Sequence, residues 1–356
     1  MGFRSFLVRR IAIAFAMLFI VLSLNYVLFF VMPGDPVSLF ITPFRGTTEA
    51  RRDFVERLRT RWGLDLPPEQ RFLLYVKNML TWNFGDSLIS GHSISSDMLL
   101  RLWWTLELMG GSHVLALLIG VGLGVLVAYK RGGKFDNGVV TMSLVTYSLP
   151  VFWLGLVLIL VFTVRLGWFP SAGAFPYDWG LPGRYPTAYT ISAGNGGQWS
   201  GNVAMSINLQ GMTSLLSGYL SHLMLPLITL TLFSYGGYLL LTRATMIEAL
   251  TEDYISTARA KGVPERSVIF RHALKNASLP LITSAALAFG FMMSGAIITE
   301  GVFSWPGMGR WIFQSITFND YSSLQAVFYI IAILVIAANI MADILYGIID
   351  PRIKYG

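Results

Sequence analysis

Five stretches of this sequence contain no Asp, Glu, Lys or Arg for 22 or more residues: 11–32, 108–129, 138–164, 276–299 and 321–342. About 20 apolar residues in a helix cross the hydrocarbon layer of a bilayer. A sixth uncharged region, 185–242, is rich in Gly, Asn, Ser and Pro, and only 221–242 is apolar enough to span. The charged fraction of 13% is also far below that of soluble domains. The pattern predicts an all-α membrane protein with six transmembrane helices.

These runs define a predicted organisation. Residues 1–32 form a cytoplasmic tip and an anchor helix, 33–104 a large extracytoplasmic segment, 105–349 a transmembrane core and 350–356 a cytoplasmic tail. Within the core we expect five helices and two loops. The helices lie at about 105–129, 138–166, 221–242, 277–300 and 321–347, the extracytoplasmic loop at 167–220 and a charged cytoplasmic loop at 243–276.

The basic residues set the expected orientation. Arg4, Arg9 and Arg10 precede the first run, whose 22 residues exceed the length of a signal-peptide core and indicate a retained anchor. Lys and Arg in short loops favour the cytoplasmic side, which predicts that both termini are cytoplasmic. The segment 33–104 carries nine such residues, but a loop longer than about 60 residues translocates regardless of charge. Contact with inner-leaflet lipid accounts for the net charge of +7 without nucleic acid.

Several kinds of chemistry have no signature in the sequence. There is no cysteine, and the four histidines are scattered, so a thiolate or paired-histidine metal site is not expected. The sole Gly-Lys pair, Gly133-Lys134, is followed by Phe135 and therefore lacks the phosphate-binding pattern. We expect no enzyme activity, and any ATP that drives this protein binds to another chain.

The cytoplasmic loop is patterned rather than merely polar. Ile247, Leu250, Tyr254 and Ala258 recur at helical spacing, with charged residues between them. Gly262 is placed to end this helix in the left-handed conformation, and Pro264 suits the start of a second one. The pattern predicts a projecting helix–turn–helix that docks onto another protein, with a solvated connecting loop as the alternative.

Other features keep two interpretations open. The loop 167–220 combines Trp168, Trp179 and Trp199 with many Gly and Asn, which suits a carbohydrate or protein ligand as well as an interfacial aromatic belt. Gly120 and Gly124 form a G-x-x-x-G step that favours close helix packing. Pro150 and Pro226 are each expected to kink or locally open their helices. Asp343, near the inner end of the last run, is either a functional carboxylate or an interfacial one.

Several motifs occur in the same order as in one known family. They are "VMPGDPV", "RWGLDLPPEQ", "FGDS", "TLEL", "YSLPVFWLGLVLILVF", "LGWFPSAG", "DYISTARAKGVPERSVIFRHALKNASLPLIT", "EGVFSWPGMGR" and "DILYGIIDPRIKYG". Over nearly its whole length the chain thus resembles the permease subunits of ABC importers that use an extracellular binding protein. More narrowly, it resembles the dipeptide and oligopeptide permease branch.

The resemblance implies a type I ABC importer permease fold in the cell membrane of a prokaryote. It implies a second, homologous permease subunit, two ATP-hydrolysing subunits beneath the pair, and an extracellular solute-binding protein. ATP and Mg are then held by the ATPase subunits, and no cofactor by this chain. The expected substrates are di- and oligopeptides, with oligosaccharides, glutathione or nickel as the alternatives.

Site residues also follow from the resemblance. The family's EAA loop, which docks into the ATPase, corresponds to 243–276, although Ser256-Thr257-Ala258 stands where the Glu-Ala-Ala triplet is found elsewhere. The expected ATPase-coupling residues are Ser256, Ala258, Arg259, Ala260, Lys261, Gly262, Arg271, His272, Lys275 and Asn276. Residues expected to gate the path or receive the binding protein on the outer side are Phe303, Trp305, Pro306, Gly307 and Arg310.

Overall fold

The computed structural model describes residues 3–31, 63–87, 90–174, 209–292 and 295–349, and the single positions 49, 52, 55, 56, 59 and 60. In this part of the chain the regular structure is helical, and the one β pairing is an isolated bridge between Asp86 and Ser93. The predicted all-α class is confirmed for these residues. Trp179, Trp199, the Asp343 side chain and the tail 350–356 lie outside the described parts.

The helices of the described residues follow one another along the chain. They are α1 Phe3–Tyr26, α2 Pro68–Leu80, α3 Ile94–Tyr129, α4 Lys134–Ser148, α5 Val151–Leu158, α6 Leu209–Leu250, α7 Asp253–Ala260, α8 Glu265–Ser267, α9 Leu274–Met292, α10 Ile297–Val302, α11 Met308–Thr317 and α12 Tyr321–Ile349. Three π-helical stretches extend them. Val27–Val31 follows α1, Ile159–Arg165 follows α5, and Val268–Ala273 joins α8 to α9.

Four helical segments in the described residues are long and apolar enough to cross a membrane. These are Val8–Phe30, Ile94–Tyr129, Leu216–Leu250 and Tyr321–Met341. The pair Lys134–Ser148 and Val151–Arg165 meets the same criterion when taken together. The described residues therefore supply four spans, or up to five, and the sixth span expected at 277–300 stays a prediction.

The fifth candidate span is sharply bent. The axes of its two helical parts differ by 102°. Leu149, between them, is extended with φ −74° and ψ 139°, as expected for a residue before proline, because the proline ring disfavours the helical conformation there. Pro150 also lacks the N–H that would continue the hydrogen-bond ladder. The bend expected at Pro150 is therefore present, whereas α6 continues as one helix through Pro226.

Two compact units divide the chain. The first comprises Met1–Leu102, Ala286–Ser294 and Trp311–Gly356, and the second comprises Trp103–Ala285 and Gly295–Arg310. Each unit is built from segments that lie far apart in the sequence, and contacts between these segments hold the unit together.

In the first unit, α1 and the π-helical stretch that follows it pack against α12 through polar and aromatic contacts. Asn25 is buried, and its Nδ2 donates to the Gln325 carbonyl oxygen at 3.0 Å. Phe29 stacks on Phe328 with ring centroids 6.2 Å apart. Asp320, just before α12, is fully buried and accepts from the Ser87 hydroxyl at 2.6 Å and from the Ser323 backbone N–H at 3.2 Å. This carboxylate therefore caps α12 and ties the "FGDS" turn to it.

In the second unit, α6 is the central helix. Leu225 of α6 forms a buried cluster with Leu154 and Leu158 of α5 and with Phe303. Further along α6, Tyr235, Tyr238 and Leu239 form another cluster with Ala116 and Val127 of α3. Helices α3, α4 and α5 all contact α6. This helix is therefore the shared packing partner in the second unit.

Candidate coupling site

The charged loop forms a compact helix–turn–helix, which we call the coupling motif and define as residues 253–276. Helix α7 ends at a turn in which the Gly262 N–H donates to the Arg259 carbonyl at 2.9 Å and the Val263 N–H to the Ala258 carbonyl at 3.2 Å. Gly262 has φ +73°, the left-handed conformation expected from the sequence. Side chains with a Cβ rarely adopt it, so the backbone conformation favours glycine here. Space is not the constraint, because no atom lies within 4 Å of a Cβ built there.

The apolar face of the motif packs against the ends of α3 and α6. Ile255, Val268 and Ala273 are fully buried in this contact. The buried cluster consists of Val125, Ala128, Met246, Ala249, Ile255, Ala258, Val268, Ile269, Ala273 and Ala277. Burying a Val, Ile or Met side chain, as at Ile255 and Val268, is worth about 1.5–3 kcal/mol. The motif is therefore fixed to two long helices as one packed body rather than tethered loosely to them.

The opposite face of the motif is exposed, and nine of the ten expected coupling residues lie on it. These are Ser256, Arg259, Ala260, Lys261, Gly262, Arg271, His272, Lys275 and Asn276. Ala258 is the exception, because it is 7% exposed and packs inside the motif's own cluster. A bulky residue at this position would therefore disturb the motif itself before it met a partner.

Phe270 is a residue that sequence reasoning missed. It is 52% exposed on the charged face, while its neighbours Val268 and Ile269 are buried. An exposed aromatic ring is a frequent energetic anchor of protein interfaces. The sequence did contain an indication, because Phe270 is an aromatic residue that directly follows the apolar residues Val268 and Ile269.

Arg259 and Glu265 form an ion pair across the turn. The Arg259 Nη2 donates to Glu265 Oε1 at 2.7 Å and its Nε to Oε2 at 3.2 Å. The hydrogen bond from Arg259 lowers the pKa of the Glu265 carboxyl below its ordinary value. Both side chains are solvent-exposed, and such pairs contribute little to stability.

The G-x-x-x-G step of α3 forms a close contact with α6. A Cβ on Gly120 would lie 2.6 Å from the Tyr238 Cβ, and one on Gly124 would lie 2.5 Å from the Thr242 Cβ. Gly122, between them, has no atom within 4 Å of such a position. Gly120 and Gly124 thus let α3 and α6 touch backbone to side chain, as the spacing predicted.

A buried ion pair joins α4 to α6. Both oxygens of Asp136 accept from the Arg243 guanidinium, Oδ1 from Nε and Oδ2 from Nη2, each at 2.7 Å. The Gly132 N–H also donates to Asp136 Oδ2 at 2.9 Å. The Asp136 side chain is 1% exposed and that of Arg243 is 30% exposed. Sequence reasoning missed this pair, because its members are 107 residues apart.

The residues expected to gate the path are largely buried inside the second unit. Phe303 is 2% exposed and Trp305 is fully buried, with its Nε1 donating to the Trp104 carbonyl at 3.0 Å. Pro306 and Gly307 are buried as well, whereas Arg310 is half-buried and donates to the Ser304 carbonyl. Arg310 is therefore the member of the set with the most side-chain surface.

This segment encloses a carboxylate that sequence reasoning did not single out. Glu300 is fully buried, and its Oε1 accepts from the Thr105 hydroxyl at 2.9 Å, while its Oε2 accepts from the Arg310 backbone N–H at 2.9 Å. The Ala296 N–H lies 3.4 Å from Oε1. Three glycines leave room for this carboxylate, because a Cβ on Gly295, Gly307 or Gly309 would lie 2.5–3.2 Å from its oxygens. We call Glu300 and these surroundings the glycine cradle.

Comparison with known proteins agrees with this architecture. The family described as binding-protein-dependent transport system inner membrane component matches residues 120–355, and the family covering the N-terminal part of such components matches residues 3–92. The chain is 37% identical over 351 residues to the di/tripeptide transport system permease protein DppB of Pseudomonas aeruginosa (strain UCBPP-PA14), covering 99% of both chains.

Two further relatives are similar over the same extent. The chain is 34% identical over 352 residues to the oligopeptide transport system permease protein AppB of Bacillus subtilis (strain 168) and 32% identical over 351 residues to the dipeptide transport system permease protein DppB of Escherichia coli (strain K12). Each match covers 99% of both chains. With its long apolar helices, the chain is a multi-pass protein of the cell membrane, and it belongs to the family of inner membrane components of binding-protein-dependent transport systems.

Proposed function

We propose that this chain is the pore-forming permease subunit of an ATP-driven importer that takes up di- and oligopeptides. The observation that carries the proposal is the end-to-end similarity to three permeases whose names specify di/tripeptides, oligopeptides and dipeptides. Because the match covers 99% of each chain, it includes the coupling motif and the glycine cradle together. The coarser role of membrane permease follows from the family itself.

The proposed assembly contains four further chains: a second homologous permease, two ABC ATPase subunits and an extracellular solute-binding protein. In this assembly our chain hydrolyses no ATP, and ATP and Mg are held by the ATPase subunits. Six spans, cytoplasmic termini and an extracytoplasmic segment at 33–104 complete the proposed topology. The placement of basic residues in the short loops supports this orientation.

The exposed face of the coupling motif is the proposed contact with an ATPase subunit. Its cations Lys261, Arg271 and Lys275 supply polar contacts, and Phe270 supplies an apolar anchor. ATP binding must favour one of two packings of the transmembrane helices for transport to be driven. A motif packed into the ends of α3 and α6 can transmit that preference as a rigid lever.

The segment Phe303–Arg310 is proposed to gate the path. Burial of Phe303 and Trp305 supports an internal gating role over direct contact with the binding protein. Arg310, being half-buried, is the residue of this set that we propose for a contact with the binding protein.

The experiment that tests the function is uptake by proteoliposomes that contain the full complex, the binding protein and internal ATP. We expect accumulation of a labelled dipeptide that requires ATP and is competed by unlabelled tri- to hexapeptides. Cello-, xylo- and chito-oligosaccharides serve as the matched competitors of similar size.

The uptake experiment tests the substrate class and the ATP-driven mechanism separately. Competition by oligosaccharides alone would move the substrate class to sugars and leave the importer mechanism in place. ATP-independent uptake of the peptide would contradict the mechanism as well.

A further inference from the structure

The hydrogen bonds between Asp136 and Arg243 fix the orientation of the carboxylate relative to the guanidinium, as well as the distance between them. Two parallel hydrogen bonds of 2.7 Å join the guanidinium to both carboxylate oxygens. A two-pronged contact of this type allows little rotation of one group against the other. The Gly132 N–H holds the same carboxylate at 2.9 Å, so the turn before α4 is included.

The pair lies where α4 begins and where α6 approaches the coupling motif. Asp136 is the third residue of α4, and Arg243 lies seven positions before the end of α6 at Leu250. Three and six positions after Arg243, Met246 and Ala249 enter the buried cluster of the coupling motif. The arginine therefore stands on the part of α6 that the motif holds.

The other end of α4 leads directly to the bend at Pro150. Helix α4 ends at Ser148, and α5 begins at Val151 with a change of direction of 102°. Near that end, a Cβ on Gly236 would lie 2.9 Å from the Ser143 carbonyl oxygen, and Thr146 donates to the Tyr235 hydroxyl at 3.2 Å. Helices α4 and α6 are thus joined at two levels, by this close contact near the bend and by the ion pair near the motif.

A buried ion pair is a poor means of stabilising a fold, because desolvation offsets the attraction between the charges. Two apolar side chains of similar size would stabilise the α4–α6 contact as well or better. What the pair adds is a single allowed alignment of α4 on α6. This alignment is useful when one helix has to follow the other through a movement.

We propose that Asp136 and Arg243 are positioning residues that make α4 follow the coupling motif. In this inference, which rests on the proposed importer function, the motif, α3 and α6 move as one body, and the ion pair carries α4 with that body. The movement reaches the bend at Pro150, so that displacement of the motif also displaces the junction of α4 and α5.

The test compares coupling in Asp136→Asn, Arg243→Lys and the exchanged pair Asp136→Arg/Arg243→Asp. Arg243→Lys keeps the charge and removes the two-pronged contact. Each variant is reconstituted as the full complex with its binding protein, and peptide uptake and ATP hydrolysis are measured on the same vesicles. The control exchanges the exposed pair Arg59 and Asp65, whose charges lie 3.6 Å apart and outside this contact.

We expect uptake per ATP hydrolysed to fall about 2- to 30-fold in Asp136→Asn and Arg243→Lys, the range found when one residue changes the coupling between two sites. The exchanged pair should recover part of the ratio, and the control should keep the wild-type ratio. An unchanged ratio in assembled Arg243→Lys would overturn the inference. Failure of Arg243→Lys to assemble would also overturn it, because the pair would then serve folding.

A distance measurement tests the joint movement separately. The chain has no cysteine, so spin labels at Met142→Cys on α4 and Thr257→Cys on α7 report one distance without background from this subunit. We expect the same narrow distribution with and without ATP in the otherwise wild-type complex, and a broader one in Arg243→Lys. A distance that shifts with ATP in the wild-type background would contradict the inference. Absence of any ATP-dependent peptide uptake by the wild type would instead defeat the proposed function on which the inference rests.

Discussion

Two carboxylates are buried among the described residues of the second unit, and their charge is compensated in different ways. Asp136 is held by a guanidinium that is itself 30% exposed. Glu300 is held, within the described residues, by neutral donors: the Thr105 hydroxyl and the backbone N–H groups of Arg310 and Ala296. The first site is a contact between two side chains on separate helices. The second depends on the backbone conformation of one glycine-rich segment.

The two sites therefore tolerate different substitutions. A side-chain pair can be exchanged or replaced as a pair, because each charge is compensated mainly by the other, with the Gly132 N–H as a further donor to Asp136. The Glu300 site, whose donors are the Thr105 hydroxyl and backbone N–H groups, has no second charged side chain to exchange, so any loss of the carboxylate leaves buried donors without an acceptor. We therefore expect paired substitutions to rescue the Asp136 site and to have no counterpart at Glu300.

The largest loss of stability is expected from Glu300→Ala. This change leaves the Thr105 hydroxyl and the Arg310 N–H unpaired, and at about 1–3 kcal/mol for each buried donor the total is about 2–6 kcal/mol. The melting temperature of the purified complex in detergent measures the effect. Glu300→Gln, whose amide oxygen still accepts on one side, should lose less, and an equal loss in both variants would argue against the cradle.

The next largest loss of stability is expected from Arg243→Met, because this change leaves the buried Asp136 carboxylate without its cation. Breaking a buried pair costs about 3–5 kcal/mol, and the partial exposure of Arg243 places this case at about 3 kcal/mol. The double variant Asp136→Leu/Arg243→Met should recover most of the lost melting temperature, and the remaining deficit reflects the Gly132 N–H, which loses its acceptor. A double variant as unstable as Arg243→Met would contradict the expectation that paired substitutions rescue the Asp136 site.

A smaller effect is expected from filling the cradle. A Cβ on Gly309 would lie 2.7 Å from the Ile297 Cα, so Gly309→Ala must displace backbone and should cost about 1–3 kcal/mol. Gly301 is the matched control in the same segment, since no atom lies within 4 Å of its Cβ position. Similar melting temperatures for Gly309→Ala and Gly301→Ala would contradict the close fit around Glu300.

The smallest effect belongs to the exposed pair of the coupling motif and depends on pH. Because Arg259 lowers the pKa of Glu265 in the folded state, the pair's contribution is present above pH 4.5, the ordinary value, and is lost as the pH falls below it. Comparing the melting temperature of wild type and Glu265→Gln across this range measures it. The two should converge at low pH, and a difference that grows on acidification would reverse the assigned direction.

The coupling motif could be predicted from sequence because its information is local. Spacing alone placed Gly262 at a left-handed turn, and the G-x-x-x-G step identified Gly120 and Gly124 as a helix contact. Asp136 and Arg243 could not be matched to each other, since their pairing depends on how α4 packs on α6 across 107 residues.

The glycine cradle eluded sequence analysis for a related reason. Glu300 directly follows an uncharged run and resembles an ordinary polar helix end. Its burial results from the fold of the segment after it, in which Trp305 and Met308 are fully buried and the Met308 N–H donates to the Thr105 hydroxyl at 2.8 Å. A positional pattern does not encode contacts of that kind.

In the proposed mechanism the coupling motif transmits ATP-driven movement into peptide transport, and substitution of Gly262 tests this role. The measurement is ATP-dependent peptide uptake by the reconstituted complex carrying Gly262→Val or Gly262→Asn. A β-branched side chain strains a backbone with φ +73°, whereas asparagine tolerates it, and neither meets a neighbouring atom at its Cβ. We predict that Gly262→Val abolishes uptake although the subunit inserts normally, and that Gly262→Asn retains most of it. Wild-type uptake by Gly262→Val at normal expression would contradict the claim.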